Sequence, residues 1–306
     1  MLNNYIQIDK KIKKALKNKK PLVALESTLI SHGLPYPANI EVAKKSQEII
    51  NQTGSEPATI GIIDGVIKIG LNDNEIEKLA SNKNVEKVSR HNIALSLNKN
   101  IYASTTVAST MMIASLVGIK FFSTGGIGGV HRDVEKTYDI SADLKELEKS
   151  NMIVVSSGVK SILDIFKTNE MLETLGILRI GYKTNKVPGF WTEKTNIKVD
   201  YRINKIDQLI KIIQNRKILK QEGSILIYNP VPKKFSVNNN KIENWIKICL
   251  KKAYKNKITG KNLTPYLLKE ISLLSKGSTQ KANVSLILNN AKVAGKIAKK
   301  LSKYLW

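Results

Sequence analysis

Short apolar runs alternate with amphipathic stretches along almost the whole chain, and this alternation is what most narrows its possible folds. The runs Leu22–Leu25, Thr59–Ile63, Val66–Ile69, Lys120–Ser123, Ile153–Ser156, Ile177–Tyr182 and Ser224–Tyr228 predict strands. Between them, Asn39–Thr53, Asp73–Ala80, Thr106–Val117, Ala142–Lys149, Asn169–Leu175, Lys205–Arg216 and Lys241–Lys255 space apolar residues three and four apart and predict helices. Thr264-Pro265 reads as a cap followed by proline at the first helical position, opening a helix over Tyr266–Ser275. A long amphipathic helix follows over Thr279–Tyr304, and Asp64-Gly65 predicts a hairpin turn. Strands separated by helices predict a mainly parallel sheet covered on both faces. No repeat or low-complexity linker imposes a boundary, so residues 1–306 are taken as one domain.

Charge is the next constraint. A net charge of +25 invites a nucleic-acid partner. The excess, however, is nearly all lysine, spread from Lys10 to Lys303 and not gathered in one stripe. Aromatics make up only 6%, with no stacking pattern for single strands, so the expectation is no nucleic acid. The longest apolar stretch, Val107–Ile119, is interrupted by Ser109, Thr110 and Ser115 and is too short to span a bilayer. The first twenty residues carry seven lysines but no apolar signal core. The single cysteine, Cys249, has no intramolecular partner, and a reducing cytoplasm is expected.

Several polar residues fall where sheets of this class place ligands, at the carboxyl ends of strands. Glu26 ends the strand in PLVALESTLISHG, where it either serves a ligand or caps a turn, and His32 beside Gly33 could be an ordinary loop residue. Lys160 follows MIVVSSGV, where partial desolvation would favour nucleophilic use; the alternative is that it extends to solvent. In STGGIGGVHRDVEKTYDISADL the glycines let backbone approach something closely, an anion or another strand. Ser141 fits a helix N-cap, and Asp143 in the first turn suits the helix dipole. Asp139 precedes the cap on the loop and could hold a hard divalent ion largely in water; no paired His or Cys spacing provides for zinc.

Taken together these blocks resemble the pseudouridine-5′-phosphate glycosidases. The resemblance runs from about Pro21 to near Leu301 and rests on ALESTLISHGLPYP (Ala24–Pro37), PATIGIIDGVIKIGL (Pro57–Leu71), KVSR (Lys87–Arg90) and STTVASTMMIA (Ser104–Ala114). It continues through Ser123–Leu144, SSGVKSILD (Ser156–Asp164), NPVP (Asn229–Pro232) and ANVSLILNNA (Ala282–Ala291), leaving residues 1–20 outside. It implies a three-layer α/β/α fold with a mixed, largely parallel sheet, a homotrimer, and cleavage of pseudouridine 5′-phosphate to uracil and ribose 5-phosphate. It further implies that Lys160 is the catalytic lysine, Glu26 the proton donor and Asp139 the manganese ligand, with magnesium as a substitute. Lys87, Val107 and the segment Ser141, Ala142 and Asp143 fall on substrate-binding positions, and His131 and Asn283 on further pocket positions. Two places depart from the family pattern: KVSRHNIA, with His91 and Asn92, and Val187-Pro188-Gly189-Phe190.

These residue types suit that chemistry. A base joined through carbon leaves poorly, so the protein must supply an electron sink and a proton. A lysine forming an iminium at C1′ provides the first, and a carboxylic acid kept protonated by its surroundings provides the second. An RNA-binding or RNA-processing factor and a sugar-phosphate aldolase using a lysine Schiff base are the competing readings.

Overall fold

The computed structural model describes residues 5–98, 101–258 and 263–305. Its strands are β1 (Ile6–Ile8), β2 (Leu22–Leu25), β3 (Glu56–Ile63), β4 (Val66–Ile69), β5 (Glu86–Val88), β6 (Ala103–Thr105), β7 (Phe121–Ser123), β8 (Ile153–Ser156), β9 (Leu178–Tyr182), β10 (Tyr201–Ile203) and β11 (Ile225–Tyr228). They form an 11-stranded sheet in the order β1-β4-β3-β2-β7-β8-β11-β9-β10, with β6 pairing β3 and β5 pairing β6. From β3 through β2, β7, β8, β11 and β9 to β10 every pairing is parallel, whereas β3 is antiparallel to both β4 and β6. The sheet is therefore mixed and largely parallel.

Period-two alternation divides the core between the two faces. Leu22 and Ala24 of β2 join Phe122, Val154 and Leu226 in one cluster. Val23 and Leu25 join Phe121, Val155 and Ile227 in the other. The first face is covered by the helices Val107–Leu116 and Ala142–Lys149, among others. The second is covered by Ala38–Gln52, Gln208–Ile218 and the carboxyl half of the 28-residue helix Ser278–Leu305. Three layers result.

Asp64 and Gly65 form the expected two-residue hairpin, both at positive φ, between the paired residues Ile63 and Val66. Other boundaries differ for identifiable reasons. The helix expected from Asn169 begins at Ile165, capped by Asp164, because its first turn buries Thr168 and Asn169 and no apolar period marks it. The helix carrying Thr264-Pro265 begins at Leu263, so Thr264 is inside its first turn and is not the cap. Proline is tolerated there because the first N–H groups of a helix have no intrahelical acceptor. The lysine-rich amino end, outside the resembling blocks, adds β1 to the edge strand β4 and a helix, Lys10–Lys17, that buries Ile12 and Ala15.

Candidate active site

The site forms where parallel strands end. Leu25 of β2 is in register with Ser123 of β7, which brings the next residues, Glu26 and Thr124, side by side. The Thr124 hydroxyl donates to Glu26 Oε1. Beyond β7 and β8 the two loops continue as partners: Ile127 bridges Val159, and the Lys160 N–H donates to the Ile127 carbonyl at 3.1 Å. Gly158 between them has φ +94°, and a Cβ there would lie 2.3 Å from the Pro188 carbonyl oxygen, so the turn that delivers Lys160 requires glycine.

The glycine-rich loop serves packing more directly than anion binding. The Gly128 N–H donates to Asp143 Oδ2 at 2.7 Å, and the Ala108 N–H donates to Asp143 Oδ1 at 2.9 Å. A Cβ at Gly128 would stand 2.2 Å from Ser141 Oγ. Asp143, only 5% exposed, thus ties the loop to the start of the helix Val107–Leu116, which Thr106 caps. Ser141 caps Ala142–Lys149 as expected. A bridge between Val130 and Ile140 closes the acidic loop, and the His131 N–H donates to the Asp139 carbonyl at 3.0 Å. That pairing leaves His131 Nδ1 3.6 Å from Asp139 Oδ2.

Two cavities share these groups. The larger, about 650 Å³, is lined by Lys87, Val107, His131, Asp139, Lys160 and the segment Ser141 to Asp143. The smaller, about 70 Å³, is lined by apolar surface from Phe190, Pro265, Leu268 and Ile287 together with His32 and Asn283. Glu26, Thr28, Lys87, Lys160 and Thr264 line both. Every site residue named from the sequence therefore lines one of two adjoining cavities. His91 and Asn92, where the chain departs from the family pattern, also line the larger one, and Asn92 Oδ1 accepts from the Ser89 N–H at 2.8 Å.

Burial and mutual charge tune the groups. Burial pushes the Glu26 carboxyl above its ordinary value, against the opposing pull of Lys160 and the Thr124 hydrogen bond. Burial, reinforced by the Lys160 charge, lowers Lys87, while Asp143, Glu26 and Asp139 counteract. Burial also holds His131 below its usual value in spite of Asp139. His32 is lowered by burial and then by Lys87, and it hydrogen-bonds the Val85 backbone. Its Nε2 is buried without a partner. Asn283 Oδ1 accepts from Trp191 Nε1 at 2.6 Å, which leaves its amide N–H groups for a ligand.

Sequence reasoning passed over Thr124, Thr28 and Thr106, and left His32 as a loop residue. Each stands at or just beyond a strand's carboxyl end, a positional signal that single polar residues do not advertise. Among the described residues no group of three or more His, Cys, Asp and Glu could enclose a metal. Asp139, with its side chain 36% exposed and lining the larger cavity beside His131, fits a hard ion that keeps most of its water.

Residues 11–300 match the family described as "Indigoidine synthase A like protein". A pseudouridine-5′-phosphate glycosidase of Petrotoga mobilis is 48% identical over 298 residues, covering 97% of each chain. One from Staphylococcus aureus is 45% identical over 304 residues, covering 99% of each. Among solved structures, the prealnumycin C-glycosynthase AlnA in complex with ribulose 5-phosphate aligns with a TM-score of 0.89 at 36% identity, covering 98% of this chain and 97% of that one. An indigoidine synthase A-like protein of Thermotoga maritima aligns with a TM-score of 0.88 at 35% identity, covering 97% of each.

Proposed function

Because the chain belongs to the indigoidine synthase A-like family, and within it to the pseudouridine-5′-phosphate glycosidases, we propose that it cleaves the carbon–carbon glycosidic bond of pseudouridine 5′-phosphate, releasing uracil and ribose 5-phosphate. The observation that carries this reading is the position of Glu26 and Lys160 where a small, mostly apolar cavity meets a larger one lined by further ionisable side chains, among them His131, Arg132 and Asp139. On this reading the base enters the first and the sugar phosphate the second, with the bond between them beside both groups.

In this mechanism the Lys160 amine attacks C1′ while the C1′–O4′ bond breaks and O4′ takes the Glu26 proton. The proton lost from the new C1′–N bond returns to Glu26. The nitrogen lone pair then expels the base: the C1′–C5 bond breaks, C5 takes the proton, and C1′ becomes an iminium on Lys160. Water hydrolyses the iminium to the open-chain aldehyde and frees the amine. Burial that favours protonated Glu26 supports its role as the acid.

Lys87, the Ala142 N–H and the Ser141 hydroxyl meet the phosphate, with Val107 packing against the sugar. Asp143 acts through the two backbone amides that it holds. Asn283 donates to a base carbonyl. His32 donates to Val85 and presents Nε2 as an acceptor for a ring N–H. A Mn²⁺ or Mg²⁺ held by Asp139, with His131 behind it, would add positive charge beside the phosphate. A homotrimer belongs to the same reading.

No helix among the described residues is long and apolar enough to cross a membrane. The test is incubation of the protein with pseudouridine 5′-phosphate and Mn²⁺, following free uracil. Release of uracil confirms the reading. Its absence with this nucleotide, alongside turnover of a simple sugar phosphate, would favour the aldolase.

A further inference from the structure

At the other end of the same strands lies a third cavity, of about 380 Å³. Its lining includes Lys120, Met152, Ile153 and Ile225, which stand at or just before the amino ends of β7, β8 and β11. Those three strands are parallel, so this cavity and the candidate active site occupy opposite edges of the sheet. Lys120, Arg216, Lys217 and Lys220 contribute four cations to it, against the single carboxylate of Glu222.

Arg216 is the unusual member. It is 8% exposed, and its Nη2 donates to the carbonyls of Glu222 and Gly223 at 2.7 and 2.8 Å. Its Nη1 is buried with no partner. No carboxylate forms an ion pair with it among the described residues, and burial alone lowers its affinity for its proton, with no neighbouring charge in opposition. The other partly buried arginines are all matched: Arg90 pairs with Glu146, Arg132 with Glu243, and Arg179 with Asp200 and Glu173. A buried cation without a counter-charge is costly, and native structures normally satisfy such groups. The two carbonyls account for one nitrogen of the fork only. In a chain that places lysine at nearly every basic site, a buried arginine holds two backbone carbonyls through one nitrogen and still keeps its full positive charge beside the cavity.

We propose that this cavity binds the phosphoryl group of a small molecule, with Arg216 as the uncompensated cation of its wall and Lys120, Lys217 and Lys220 completing the charge. The three lysines exceed what a singly charged carboxylate needs and match a dianion. The volume leaves room for a sugar attached to the phosphate. The site is independent of the reaction proposed above.

The test uses the full chain carrying Lys87→Ala, which removes a cation of the active-site cavities. Calorimetric titration with inorganic phosphate, and in a second arm with ribose 5-phosphate, is run at about 0.15 M chloride so that diffuse attraction is screened. Saturable binding is expected, weakened about tenfold by Lys217→Gln/Lys220→Gln and similarly by Arg216→Gln. The lysine pair is exposed, so those substitutions leave the fold intact, and Arg216→Gln keeps an amide donor for the backbone carbonyls while losing the charge. Tighter binding in the ribose arm assigns the site to a sugar phosphate, and equal binding assigns it to free phosphate. Absence of binding in both arms, or binding that neither variant weakens, overturns the proposal.

Discussion

The two ends of the parallel strands handle buried positive charge in opposite ways. At the carboxyl ends, Lys87 is desolvated and repelled by Lys160, but Asp143, Glu26 and Asp139 oppose that loss. At the amino ends, Arg216 is buried, and among the described residues no carboxylate pairs with it. The difference separates two kinds of pocket. One carries its own acids, as the proton transfers of the proposed reaction require. The other is short of negative charge, as a site is when its ligand brings that charge.

The largest effects belong to the carboxyl end. Lys160→Arg keeps the cation but cannot form an imine, so turnover of pseudouridine 5′-phosphate should fall by roughly 10⁴-fold or more with the fold intact. Borohydride added during wild-type turnover should leave a ribose-phosphate adduct, which peptide mass mapping finds on Lys160. Near-normal turnover of the variant, or an adduct on another lysine, would show that the acids there serve something other than this nucleophile.

Glu26→Gln should slow uracil release by about 10²- to 10⁴-fold. A subtler change uses its hydrogen bond. Thr124→Val removes a donor that favours the ionised carboxylate, so the Glu26 value, already raised, should rise further. The acid form is then retained to higher pH, and the alkaline limb of the kcat profile should move upward. A downward shift contradicts the assignment of Glu26 as the acid.

Smaller effects separate base from sugar recognition. In the synthetic direction, His32→Ala should raise KM for uracil by about tenfold while leaving KM for ribose 5-phosphate nearly unchanged, the loss of one hydrogen bond to a buried group. An equal rise in both would move His32 away from the base cavity. Exhaustive chelation should depress activity, with Mn²⁺ restoring the wild type far better than Asp139→Ala; undiminished turnover after chelation would remove the metal from the reading.

The smallest effect should come from the amino-terminal helix. Neutralising Lys10, Lys11, Lys13 and Lys14, all exposed, should leave kcat/KM within about twofold. A large loss would show that the general positive field delivers substrate.

Much of this was legible in the chain. The apolar runs of β2, β8 and β11 were readable because strands buried on both faces need continuous apolar residues. The three-residue strands β1, β5, β6 and β10 were not, since so short a run cannot display a period; β7, equally short, was readable because the apolar residues Ile119, Phe121 and Phe122 follow a glycine turn. Glu26 and Lys160 were visible because charge directly after such a run is costly unless it is used. Asp143 was read correctly as a first-turn acid of a capped helix, yet its main bonds go to Ala108 and Gly128, which no local pattern reveals.

By itself, then, the sequence determined the alternation of strands and helices, the parallel sheet that follows from it, and which side chains sit where strands end. Those are local properties, set by periodicity, capping and turn chemistry over a few neighbouring residues. Tertiary structure alone decided the pairing of Glu26 with Thr124, the binding of Asp143 to two distant backbone segments, and the burial of Arg216 without an ion pair among the described residues. Each of these depends on strand order and register, which bring together residues as far apart as 98 positions in the chain. Arg216 shows the limit most plainly: within Lys205–Arg216 it reads as one more polar residue of an amphipathic helix, and only the packing of that helix against the sheet takes it out of water.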